Sequence, residues 1–153
     1  MMMQFVFALL AFAGVALAQG VQITAPLPGA TVVAGSTFGI DIARPNSLSS
    51  SQDVSVAIGL ATCGTSCDAN DTSDTFGTIL FAGPYNPTHH GLPSPEGLDY
   101  YSNYTLAVPG LFPPGEASLK VAHFTLIGAG MNPYIDTHNI TVNVVGGSAK
   151  FKF

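Results

Sequence analysis

Positive charge is scarce in this chain. Four basic residues (Arg44, Lys120, Lys150 and Lys152) stand against nine acidic ones, giving a net charge of −5 over 153 residues. Phosphate backbones are bound by clustered Lys and Arg, so nucleic acid is excluded as a partner class. Only two cysteines occur, Cys63 and Cys67. Two cannot supply a four-ligand zinc site, and their spacing is not the redox Cys-x-x-Cys. Catalytic signatures are also missing. The chain has no Gly-x-Ser-x-Gly elbow and no phosphate-binding glycine loop. Beyond the N-terminal segment no stretch keeps a helical period of about 3.6 residues for roughly three turns. Eleven prolines and seventeen glycines break any long helix.

One apolar run is present. Phe5 to Ala16 carries no charge and ends at Ala16-Leu17-Ala18, a small-x-small site followed by Gln19. This is the layout of a secretory signal peptide over residues 1–18. The run is shorter than the roughly 20 residues a spanning helix needs. The expectation is one domain over 19–145 and a short charged tail, 146–153, that lacks the spacer and apolar end of a GPI signal. The product is expected to be secreted, without a membrane anchor and monomeric. Outside the cell, a local Cys63–Cys67 disulfide is the default, contributing about 2 kcal/mol at most because its loop is small. Charged residues make up only 8% of the chain, so Ser, Thr, Asn and Gly must carry the polar surface. Three N-glycosylation sequons fit such a surface, at Asn70, Asn103 and Asn139. Asn86-Pro87-Thr88 is excluded by its proline.

A period of two runs through the rest. Val54, Val56, Ile58 and Leu60 alternate with Ser55, Ala57 and Gly59. Phe38, Ile40 and Ile42 alternate with Thr37, Gly39 and Asp41, and Ile140, Val142 and Val144 with Thr141 and Asn143. Strands are predicted over 21–25, 36–43, 53–61, 77–83, 102–108, 117–127 and 137–145. With Gly/Pro turns between them, these about seven strands predict an all-β, immunoglobulin-like β-sandwich. Asn103 and Asn139 fall on the outward phase of their strands, where a glycan is tolerable. Within 117–127 the pattern slips, from Leu119 and Val121 to Phe124 and Leu126. That predicts a bulge or a strand buried on both faces.

The irregular stretch 84–101 is the candidate contact loop, with Tyr85, His89, His90, Tyr100 and Tyr101 as its contact residues. Leu111 and Phe112, flanked by prolines, form a second apolar candidate. No catalytic set emerges. His89-His90 near Glu96 and Asp99 lacks a third metal ligand, and solvated loop histidines are the plainer reading. Gln19 excludes a copper oxygenase that uses an N-terminal histidine. Glu96, Asp99 and Glu116 form no recognisable glycosidase pair. Asp68, Asp71 and Asp74 lack the glycine and terminal glutamate of a calcium loop. A serine with His138 and Asp136 is too cheap a combination to count. The expectation is a protein that is not an enzyme and uses no metal or cofactor.

Several strings in order resemble the fungal necrosis-inducing secreted protein 1 family. Ser51-Gln52-Asp53-Val54-Ser55-Val56-Ala57-Ile58-Gly59 is similar to its "QDV-x-VA-x-G" strand. Gly77-Thr78-Ile79-Leu80 and Gly83-Pro84 resemble its "GT-x-L" and "GP" segments. Asn103-Tyr104-Thr105, Val108-Pro109, Pro114-Gly115 and the closing Asn139-Ile140-Thr141-Val142-Asn143-Val144 follow in the same order. The resemblance implies a secreted effector without enzymatic activity. It would bind immune-receptor-associated protein kinases of a plant host, inhibit them and so suppress pattern-triggered immunity, with cell death at high dose. Its place of action would be the host apoplast or the host cytoplasm. The Cys63–Cys67 insertion and the His89-His90 loop depart from the family pattern. The alternative is a secreted cell-wall or glycan-associated sandwich, because Ile23-Thr24-Ala25-Pro26 with Gly29 and Gly35-Ser36-Thr37 resembles the opening of fungal wall-glucan assembly proteins. A hydrolase or metalloenzyme using His89, His90 and His138 is the weakest reading.

Overall fold

The structure is a computed structural model that describes residues 20–46, 50–64, 67, 75–91 and 98–147. The signal segment 1–18, Asn70 and residues 148–153 lie outside the described residues.

Among the described residues nine strands follow one another: β1 (Gln22–Ala25), β2 (Thr31–Val33), β3 (Thr37–Arg44), β4 (Ser51–Thr62), β5 (Thr78–Pro84), β6 (Thr88–His89), β7 (Tyr100–Ala107), β8 (Gly115–Ile127) and β9 (Asn132–Val145). All seven predicted strands are present within a few residues of their expected ends. The additional two, β2 and β6, have three and two residues and so carry no readable period. One sheet runs β1-β3-β7-β6 and the other β2-β9-β8-β4-β5. All pairings are antiparallel except β2 with β9.

The alternating apolar residues meet between the sheets. Ile40 and Ile42 come from one sheet, and Ile58, Leu60, Leu119, Val121 and Val142 from the other; all seven are fully buried. Burying a side chain of this size contributes about 1.5–3 kcal/mol, so this layer dominates stability. Strand β8 is central in its sheet, and every residue from Ala117 to Val121 is buried. That is the two-sided burial its sequence pattern suggested. The apparent phase slip is not a bulge in β8, whose register with β9 is unbroken from Gly115 to Ile127. Polar His123 and Thr125 simply continue the inward row, while Phe124 and Leu126 lie on the other face.

The bulge sits on the facing strand. Asp53 pairs with Thr125 and Ser55 with Phe124, leaving Val54 as the extra residue of β4. An extra residue reverses the side-chain phase. Asp53 therefore shares the inward face with Val56, and Val54 drops out of the inward set. This corrects the alternation read from sequence, which grouped Val54 with Val56.

Gly59 shows a second constraint. Segment 75–77 crosses the outer side of β4 there, and a Cβ on Gly59 would meet the Phe76 carbonyl oxygen and sit 2.8 Å from its Cβ. Gly39, on the other sheet, has open space. Gly59→Ala is expected to cost about 1–3 kcal/mol by overpacking. Gly39→Ala should be neutral or slightly stabilising, since alanine loses less backbone entropy. Paired thermal melts check this; equal melting of Gly59→Ala and wild type would mean that segment 75–77 does not pack on β4.

Candidate contact surface

The predicted contact residues split into two groups. Tyr85 follows β5 and is fully buried. Its neighbours Pro84, Asn86 and Pro87 read as a turn, yet its ring points into the sandwich and its hydroxyl donates to the Ile42 carbonyl at 3.0 Å. The backbone N–H of Tyr85 donates to the carbonyl of bulged Val54 at 3.3 Å. Tyr85 is thus a joint between sheets and not a contact residue. Burial pushes its phenol well above the ordinary tyrosine range, and the Asp53 carboxylate adds to the rise.

Around Tyr85 lies a polar corner that sequence reading missed. Asp53 Oδ2 is 3.0 Å from Arg44 Nε, which reaches across from the other sheet. Asp53 Oδ1 is 3.0 Å from His123 Nε2, whose side chain is 1% exposed. These distances are short, but neither nitrogen is aligned to donate a proper hydrogen bond. The contacts are therefore electrostatic. The His123 ring meets Tyr85 edge-on at 5.0 Å. Arg44 also donates from Nη1 to Ser51 Oγ at 3.1 Å, and its guanidinium lies 5.1 Å from the Tyr100 ring centre.

The remaining predicted residues do come together, at the β6–β7 edge. The two histidines face different tyrosines, as neighbours in an extended segment must. His89 lies 5.1 Å from Tyr100, and His90 stacks on Tyr101 at 3.6 Å with 18° between planes. Thr88 Oγ1 is 3.1 Å from His90 Nε2, and the His90 N–H donates to Asp99 O. Both histidines are exposed and both tyrosines half-buried. Phe81 of β5 packs on Tyr104 of β7 at 4.7 Å, and Tyr104 donates to Pro84 O at 3.3 Å. Burial raises the Tyr104 phenol, partly offset by a hydrogen bond with Ser102. A groove of about 340 Å³ opens here, with Asn86, Thr88, His90, Tyr101, Asn103 and Tyr104 among its lining residues.

The second candidate stands apart. Leu111 is 98% exposed, whereas Phe112 turns into the core. A groove of about 300 Å³ runs beside them between the Leu60–Thr62 end of β4, Thr78 and Pro113.

Glu96, Asp68, Asp71 and Asp74 lie outside the described residues, and the other candidates that are described do not converge. Cys63 and Cys67 are bonded, with Cα atoms 4.9 Å apart, and the Cys63 N–H donates to Glu116 O. Asp136 accepts from the Val21 N–H at 2.7 Å, which ties the residue before β1 to β9 of the other sheet. Desolvation lowers the half-buried His138, with the Asp136 carboxylate pulling the other way. Among the described residues no three His, Cys, Asp or Glu side chains come together as a metal site.

The Nis1 family model matches residues 16–143. Necrosis-inducing secreted protein 1 of Colletotrichum orbiculare is 27% identical over 144 residues, covering 93% of this chain and 81% of that protein. Among solved structures, entomopoxvirus fusolin superposes with a TM-score of 0.49 at 9% identity, over 78% of this chain and 38% of the fusolin chain. Superoxide reductase (neelaredoxin) from Ignicoccus hospitalis gives 0.40 at 12% identity, over 81% of this chain and 80% of its own. Neither structural likeness carries an argument about function.

Tyr85→Phe leaves the buried Ile42 carbonyl without its donor and is expected to cost about 1–3 kcal/mol. The substitution should also change the alkaline behaviour. Because the folded state holds the Tyr85 proton more tightly, wild-type stability is full below about pH 10 and is lost as the pH rises through the folded-state value. Denaturant melts from pH 8 to 11 should show a shallower alkaline loss in the variant. An identical slope would remove Tyr85 from the buried corner.

Proposed function

The chain belongs to the Nis1 family, and from that membership we propose a secreted effector-like protein that acts by binding host proteins, not by catalysis. The observation that carries this is the family match across nearly the whole domain, joined by the relative whose name states secretion and necrosis induction. In the proposed action, the protein suppresses plant pattern-triggered immunity by inhibiting immune-receptor-associated kinases. Cell death follows at high dose. The route runs from secretion into the host apoplast to the host cytoplasm, where kinase domains lie. The exposed Leu111 beside a groove lined by Pro109, Phe112 and Pro113 supports this reading, since an exposed apolar side chain at a groove on a rigid sandwich is what a protein partner buries.

Pull-down of purified plant co-receptor kinase domains, with the immune oxidative burst in leaves as readout, tests the proposal. Binding and a suppressed burst are expected, with Leu111→Asp weakening both about tenfold or more. Neither binding nor suppression by the wild-type protein would sink it. Retention on β-glucan or chitin in place of kinase binding would favour the wall-associated alternative.

A further inference from the structure

The outward face of β7 brings three residues into line. Tyr101, Asn103 and Thr105 are spaced by two, so their side chains leave the strand on one side. Asn103 and Thr105 are both exposed and form the sequon Asn103-Tyr104-Thr105. The strand beside them leaves room, because their partners on β3 are Asp41 and Gly39, and nothing lies within 4 Å of where a Gly39 Cβ would be. On the other side the face falls into the groove walled by Asn86, Thr88, and the stacked rings of His90 and Tyr101. Among the described residues its walls carry no carboxylate and no Lys or Arg. Aromatic rings, side-chain amides and a hydroxyl are the donor set that receives a neutral sugar, the rings meeting its C–H face and the amides its hydroxyls. Asn139, by contrast, is half-buried in mid-sheet opposite Lys120 and already engages another group.

We propose that Asn103 carries an N-linked glycan whose first sugar occupies this groove, packed on the Tyr101–His90 stack. In the attachment step a bond forms between Asn103 Nδ2 and the anomeric carbon of an oligosaccharide held on a lipid pyrophosphate. The bond from that carbon to the pyrophosphate breaks, the lipid pyrophosphate leaves, and the amide gives up one proton. No oxidation or reduction is involved. The strand geometry presents the asparagine, and the aromatic residue two positions earlier receives what is attached to it. This edge of the sandwich is thereby covered by the protein's own sugar, which leaves the Leu111 side open.

The full chain secreted from a fungal host, with its glycan trimmed enzymatically to one sugar, provides the test. Glycopeptide mass spectrometry should find Asn103 occupied. Asn103→Gln and Thr105→Ala should each lower the melting temperature by about 2–5 °C. Tyr101→Ala should lose stability in the glycosylated protein and clearly less in the Asn103→Gln background. If Tyr101→Ala fails to fold, His90→Ala is read in the same two backgrounds. An unmodified Asn103 would overturn the proposal, and so would equal effects of the ring substitutions with and without the glycan. Binding of free chitohexaose to the glycosylated protein, abolished by Tyr101→Ala, would overturn it too, because the groove would then be open to outside sugars.

Discussion

A single carboxylate facing inward organises one end of this sandwich. Asp53 touches Arg44 of one sheet and His123 of the other, each at 3.0 Å. It does so only because Val54 bulges out of register and reverses the phase of β4. A charge this poorly exposed is costly to desolvate, and removing one partner from such a pair is far worse than never having had it. The corner therefore constrains the chain to one arrangement. Arg44 must end β3, Tyr85 must turn in to fill the space beside His123, and the chain after β5 must leave toward β6. The tilted contact of His89 with Tyr100 and the stack of His90 on Tyr101 are built on that path.

The fold separates stability from recognition. Aliphatic packing of Ile40, Ile42, Ile58, Leu60, Leu119 and Val121 holds the two sheets together along their length. The polar corner fixes how they meet at one end. Among the described residues, two surfaces at the sandwich margin carry a groove beside exposed rings or apolar side chains: the tyrosine–histidine edge and the proline-bounded Leu111 turn. The first has the chemistry of a sugar seat and the second that of a protein contact. Low surface charge is consistent with this division, since neither surface depends on a charged ligand.

The strands were legible because alternation is a direct consequence of burying one face. Val56, Ile58 and Leu60, or Ile140, Val142 and Val144, could hardly be placed otherwise. What escaped was set by pairing between strands. Val54 continues the apolar alternation perfectly, so only the register with β8 shows that it lies outside and Asp53 inside. Tyr85 sits among turn residues, and its burial depends on an acceptor at Ile42, more than forty residues away in sequence. β2 and β6 are too short to hold a period and are strands only because β9 and β7 lie beside them. That His89, His90, Tyr100 and Tyr101 belong together was legible, since they flank one irregular segment, and the β6–β7 pairing brings their rings side by side.

The most direct measurement on this account is a double-mutant cycle across the sheets, with Arg44→Met, Asp53→Asn and the pair, read by denaturant unfolding near neutral pH. An inward Asp53 predicts that the double variant is less damaged than the sum of the singles, with a coupling energy of about 1–3 kcal/mol. Additive losses would place Asp53 outside the sandwich and contradict the bulge on which the corner rests.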